Sequence, residues 1–316
     1  MNDETHAVRV VDAAKTFANG AGIRDINFTA RDRSVTAVIG PNGAGKTVLF
    51  SLIAGLLPAD SGRVELARPG ARVAYCPDVP QFESWLTARE VVETSRAVSG
   101  QSNRIAERKQ PTSSTSGNGS VSAALGMCGL GKVMDRRVVD FSRGMLQRLG
   151  IAAALVTDPD VLILDEPNSA LDPIGRADVR GIIAEQKRHR CILLSSHLLS
   201  EVEQLADHIV VLDQGRVVTQ GTTEAILTNG IQPVWNIRLG NPAQITALDL
   251  KMAIPEAQFE FISDTLCAAR FLSFDSAATQ LKTALHLLRA PIIEVTLQDR
   301  DLDASFVRIV RNQETR

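Results

Sequence analysis

Two segments far apart in the chain carry residues whose types and spacing could do chemistry. The first is Gly40-Pro41-Asn42-Gly43-Ala44-Gly45-Lys46-Thr47, which directly follows the apolar, β-branched run VTAVIG (35–40) and opens a helical stretch over 46–56. A strand, a glycine-rich turn and a helix in that order make a phosphate cradle. The glycines let backbone N–H groups close around the oxygens, and the helix N-terminus adds the positive end of its dipole. Lys46 would neutralise charge on the β- and γ-phosphates, and the Thr47 hydroxyl would hold Mg²⁺. The second segment is VLILDEP (161–167), an apolar strand ending in Asp165 and Glu166. Beside a phosphate loop, such a pair predicts one carboxylate at the metal and one at the attacking water. Asp165 takes the first role, directly or through water, and Glu166 the second, as general base or as the group that orients the water. Between the two lies DFSRGMLQRLGIAAALV (140–156), in which a Ser-Arg-Gly turn enters a helix with Ser142 suited to cap it. A single histidine, His197, follows a further apolar run, CILLSSH (191–197).

These residues need a rigid frame. The runs at 35–40, 161–167, 191–197 and 208–213 alternate with helical stretches at 46–56, 142–156, 173–187 and 198–206. Apolar strands alternating with helices predict an α/β fold with a parallel sheet covered on both faces. Residues 8–30 and 62–75 differ: short alternating segments with Asn-Gly and Ser-Gly turns predict an antiparallel sheet packed alongside. The Ser/Thr/Gly/Asn-rich stretch 110–122 reads as a mobile surface loop, and 228–233 as a linker. Beyond it WNIRLG, a helix near 242–252, QFEFIS, AARFLSF, a helix near 276–289 and IIEVTL follow in turn. That β-α-β-β-α-β order predicts a small ferredoxin-like domain.

Composition narrows the classes. The chain has 316 residues, enough for about two domains, with 44% hydrophobic and 22% charged residues. With a mean hydropathy of +0.02, wholesale disorder is excluded. A net charge of −2, with Lys and Arg scattered, gives no bulk attraction to nucleic acid or anionic lipid, so no nucleic-acid partner is expected. Cys76, Cys128, Cys191 and Cys267 stand far apart, which favours neither a zinc site nor a disulfide framework and fits a reducing cytosol. The start MNDETHAVRV does not read as a signal peptide. No run approaches the roughly 18 apolar residues that cross a bilayer, so the chain is not expected to span one.

In this order and register the chain resembles the ATP-binding subunits of ABC transporters over residues 7–228. GPNGAGKT matches the family's first phosphate-binding motif, FSRGM (141–145) its signature, VLILDEP its second acidic motif, SALD (169–172) the loop that crosses the dimer, and His197 the switch histidine. Phe17, in KTFANG, stands where an aromatic residue stacks on adenine. The resemblance implies a P-loop ATPase domain over 1–228. It would have a mixed core sheet, an antiparallel β subdomain and a helical subdomain at about 79–158, with an accessory domain over 229–316. It implies ATP and Mg²⁺ as cofactors, a transmembrane permease as partner, and a place in the cytoplasm on the inner face of the cell membrane. Two copies, as a homodimer, would close head to tail. ATP would then lie between the 40–48 segment of one copy, Val48 included, and Ser142, Arg143 and Gly144 of the other, with Asp172 at the crossing. His197 would contact the same phosphate within its own copy. The accessory domain and the run LLSSHLLSEVEQLADHIVVLDQGRVV resemble the exporter branch, as does the tail IIEVTLQDRDLDASFVRIV.

Four positions depart from the family pattern. Tyr75-Cys76-Pro77-Asp78 replaces a motif ending in Gln, so Asp78 would serve as the oxygen ligand at Mg²⁺, with Gln81 as the alternative. Arg143 replaces a glycine, Asn168 a threonine, and Val48 a second threonine. In QFESWLTAREVV (81–92), Phe82, Trp85 and Leu86 fit either a local core or a socket for the membrane partner's cytoplasmic helix. Two other functions fit less well. A soluble ABC ATPase of assembly, repair or translation tends to carry tandem cassettes, coiled coils or cysteine clusters. A non-hydrolysing module would not need Lys46, Asp165, Glu166 and His197 together.

Overall fold

The computed structural model describes residues 6–99, 120–169, 171–229 and 231–314. Residues 110–119 of the expected surface loop lie outside them; Ser120 already caps a helix. The chain forms two compact units, Met1–Thr223 and Glu224–Arg316.

The first unit is built on a six-stranded sheet. Its strands are β3 (Val35–Ile39), β5 (Val73–Cys76), β6 (Val161–Leu164), β7 (Cys191–Ser195), β8 (His208–Asp213) and β9 (Arg216–Thr222), in the order β5-β6-β7-β3-β8-β9. All pairs are parallel except β8 with β9. Every residue of β3, β6 and β7 is buried, as both-face coverage requires. The β8–β9 hairpin turns through Gln214 and Gly215, both at positive φ (45° and 76°), as a tight hairpin turn requires.

A three-stranded antiparallel sheet, β2-β1-β4, packs alongside, formed by β1 (His6–Thr16), β2 (Gly22–Arg31) and β4 (Ser61–Leu66). The expectation that 62–75 belongs wholly to this sheet is half right. A turn in which Ala71 N–H donates to Arg68 O (3.1 Å) redirects the chain, and β5 joins the core sheet parallel to β6. The main core lies between the two sheets around α1 (Lys46–Ile53), where Leu49 and Phe50 meet Ile26, Phe28, Ile163 and Leu193. The helical part contains α2 (Ala88–Val98), α3 (Val121–Met127) and α4 (Arg143–Leu155), which bury Val91, Val92, Leu125 and Leu149. A capping box of Thr87 and Glu90 starts α2. Helices α5 (Pro173–Gln186) and α6 (Leu199–Leu205) follow β6 and β7.

Between the sheets of the two units runs α7 (Thr223–Thr228) in sequence. The second unit holds β10 (Val234–Leu239), α8 (Ala247–Ala253), β11 (Gln258–Ser263), β12 (Leu266–Arg270), α9 (Phe274–Leu287) and β13 (Ile292–Leu297). Its antiparallel sheet has the order β11-β12-β10-β13, the split β-α-β arrangement. Ile237, Leu239, Leu250, Cys267, Ala277 and Leu288 form its core. Helix α8 begins at 247, later than expected, because Thr246 and Asp249 close a capping box there. A last helix, α10 (Leu302–Glu314), had no counterpart in the sequence reading. Among the described residues, no helix is long and apolar enough to cross a membrane.

Candidate functional site

The phosphate loop sits where β3 hands over to α1. A Cβ at Gly40 would lie 2.1 Å from Leu212 O, and one at Gly45 2.4 Å from Ile23 Cγ2, so neither position admits a side chain without displacement. No side chain caps α1, whose first N–H groups therefore face the loop unclaimed by a cap. Lys46 is buried, and its ammonium donates to Gly40 O (2.8 Å) and Pro41 O (3.2 Å), folding back over the loop that it would serve.

Asp165, only 3% exposed, is the hub. Thr47 Oγ1 donates to its Oδ2 at 2.8 Å, the Tyr75 phenol donates to the same oxygen at 3.1 Å, and Ser195 Oγ donates to Oδ1 at 2.5 Å. Three hydroxyls thus satisfy both oxygens of one buried carboxylate, which keeps further lone-pair capacity. Burial first, then the neighbouring Asp165 charge, pushes the Tyr75 phenol well above its ordinary range, so it remains a neutral donor.

Ser195 also accepts the backbone N–H of Glu166 at 2.8 Å. Glu166 has φ +48°, a left-handed conformation that costs a non-glycine residue on the order of 1 kcal/mol or more. Its carboxylate accepts from the His197 backbone N–H at 3.1 Å and lies 2.7 Å from His197 Nδ1. The tautomer with hydrogen on Nδ1 makes that contact a donation to Glu166 and leaves Nε2 as the second ring nitrogen. The structure therefore joins Lys46, Thr47, Asp165, Glu166 and His197 on adjoining strand ends.

The remaining expected residues are placed differently. Ser142 is exposed and caps its own helix through Met145 N–H (3.3 Å). None of the described hydrogen bonds links 142–144 to the 40–47 loop. A Cβ at Gly144 would lie 3.1 Å from Leu171 Cδ2, which sets this turn beside the 168–172 loop. Asp172 caps α5 through Gly175 N–H (2.7 Å). Phe17 lies in the turn after β1 and is 38% exposed, outside the core. Asp78 is not bonded to the Thr47–Asp165 pair; its carboxylate accepts from Ser169 Oγ. Gln81 and Phe82 line a groove of about 490 Å³ with Tyr75, Pro77 and Pro80. Trp85 is 64% exposed, so the local-core reading fails for it.

Two contributors escaped the sequence reading. One is Ser195; the register Leu164↔Leu194 places Asp165 and Ser195 side by side at the next step, a signal that strand alignment could have given. The other is Glu201, 6% exposed, which accepts from Asn168 Nδ2 at 2.5 Å and lies within 4.0 Å of Arg176 and 3.8 Å of Arg180. The longer carboxamide of Asn168 spans this gap where a threonine hydroxyl is shorter.

Comparison with known proteins matches residues 23–169 to the family described as ABC transporter. The uncharacterized ABC transporter ATP-binding protein YxlF of Bacillus subtilis (strain 168) is 34% identical over 216 residues, 67% of this chain and 70% of that one. The Nod factor export ATP-binding protein I of Rhizobium meliloti is 31% identical over 258 residues, 77% of this chain and 72% of that one. A solved ATP-binding subunit of an ABC transporter superposes with a TM-score of 0.59 at 28% identity, covering 70% of this chain and 91% of that one. The chain belongs to the ABC transporter ATP-binding proteins, as an ATPase subunit that powers transport through a separate membrane subunit.

Proposed function

We propose that this subunit drives export by hydrolysing MgATP between two copies of itself on the cytoplasmic face of the membrane. The observation that carries the reading is the continuous hydrogen-bonded path Thr47–Asp165–Ser195–Glu166–His197. The oxygen donors of Thr47 and Asp165, 2.8 Å apart, suit a hard divalent cation. Mg²⁺ bound there would offset the charge that develops on the transferred phosphate. Lys46 and the 40–48 backbone, Val48 included, hold the β- and γ-phosphates, and Phe17 supports the adenine. Glu166 takes the proton of the attacking water, and His197 orients Glu166 through Nδ1; the doubly protonated ring would in addition donate from Nε2 to the γ-phosphate.

Ser142, Arg143 and Gly144 meet the phosphate of the second copy, with Asp172 at the crossing, a reading that rests on the match of FSRGM to the family's signature. The groove lined by Gln81 and Phe82 receives a helix of the permease, with the exposed Trp85 three residues further along the chain. Residues 229–316, with a core of their own, form the accessory domain. The export direction rests on the similarity to the Nod factor export protein. Specific ATPase activity measured across a dilution series tests the two-copy site. It should rise with protein concentration and then level off; activity independent of dilution down to a monomeric solution would refute it.

A further inference from the structure

Asp78 stands where the family carries glutamine, and it does not turn toward Thr47 and Asp165. Its carboxylate can only accept, and it accepts from the Ser169 hydroxyl, 91 positions along the chain. Ser169 N–H in turn donates to Glu166 O at 3.1 Å, so the residue held by Asp78 closes the turn that begins at the general base. Two further bonds tie the same two segments. Tyr75 reaches Asp165, and Asp165 N–H donates to Cys76 O at 2.9 Å. Residues 75–78 and 165–169 are thus fastened at three points. The first segment also borders the groove through Tyr75, Cys76 and Pro77, with Pro80, Gln81 and Phe82 just beyond. On the far side of the second segment, Asn168 is anchored to Glu201 and Leu171 O accepts from Arg176 Nε at 3.0 Å.

We propose that Asp78 and Ser169 form a positioning pair that holds the turn at 166–169 to the groove wall, so that Asp78 acts through Ser169 and not as a metal ligand. The pair sets the loop that follows Glu166 according to the position of residues 77–82, which is where a groove occupant presses. This rests on the reading of the chain as an ATPase whose groove receives the permease. Asparagine at 78 keeps a neutral amide oxygen that still accepts, but alanine at 78 removes the acceptor and alanine at 169 removes the donor. Either alanine frees the same turn, so the second change adds nothing to the first.

The test is a double-mutant cycle on the full chain. Asp78→Asn, Asp78→Ala, Ser169→Ala, Ser169→Thr and the Asp78→Ala/Ser169→Ala pair are compared for kcat, KM, and the Mg²⁺ dependence of binding of a fluorescent ATP analogue. Each alanine variant should lower kcat about three- to tenfold with KM within about twofold, and the double variant should match the single ones. Ser169→Thr, which keeps the hydroxyl, and Asp78→Asn, which keeps an acceptor, should restore most of the rate. Mg²⁺ half-saturation of nucleotide binding should stay within about twofold throughout. Additive losses would overturn the pairing. So would a rise in Mg²⁺ half-saturation confined to the Asp78 variants with Ser169→Ala silent, an outcome that makes Asp78 a metal ligand. Failure of the ATPase reading would show separately, as absence of hydrolysis in the unmodified chain.

Discussion

Ser195 Oγ lies 2.5 Å from Asp165 Oδ1 and receives the Glu166 N–H at 2.8 Å, so one fully buried hydroxyl touches both halves of the acidic pair. It fixes the rotation of the carboxylate that faces Thr47 and supports the left-handed backbone of the neighbouring residue.

Ser195→Ala leaves a buried N–H without an acceptor, a change that costs about 1–3 kcal/mol. The melting temperature should fall by several degrees. Independently, kcat should fall about tenfold or more, because Asp165 and Glu166 lose their common support. Ser195→Thr keeps the hydroxyl and should recover part of both. Thermal melts and steady-state kinetics on the three proteins check this; an alanine variant with unchanged kcat would remove Ser195 from the site.

Trp85 is 64% exposed, and its removal costs the folded chain little. Trp85→Ala should therefore leave the melting temperature and the ATPase activity of the isolated subunit close to those of the parent. Assembly with the permease should weaken, since tryptophan is among the residue types that anchor interfaces and this one is exposed. Pull-down of the permease by the two proteins measures it, and equal recovery would place the contact elsewhere.

All four cysteines are buried and free. Burial pushes the Cys267 thiol up to about 11 and the Cys128 and Cys191 thiols up to about 12, and it raises Cys76 further still. A raised thiol value means that the reactive thiolate is scarce below those pH values. The native chain should resist iodoacetamide at pH 8 and label at four sites only after unfolding, as mass spectrometry would show.

Much of the site was legible because its chemistry is local. The phosphate loop needs its glycines, lysine and threonine in one continuous stretch, and Asp165 and Glu166 announce themselves by ending an apolar strand. The apolar runs that became β3, β6, β7 and β8 were equally plain, because strands covered on both faces cannot hide their composition. What escaped depends on distant partners. VAYC alternates as an antiparallel strand would, and only the turn at 68–71 carries it to the core sheet. Ser195 has no distinctive neighbours in sequence and gains its role from strand register. Asp78 kept its place in the motif, yet its partner Ser169 could not be read from spacing.

Glu166→Gln tests the central claim most directly. The carboxamide keeps the shape and the nucleotide contacts but cannot take a proton. With ATP and Mg²⁺, sedimentation of the variant should show a stable two-copy species with bound ATP, while its turnover falls about 10²–10⁴-fold. A variant that turns over at the parent rate, or that stays monomeric with saturating MgATP, would contradict the account.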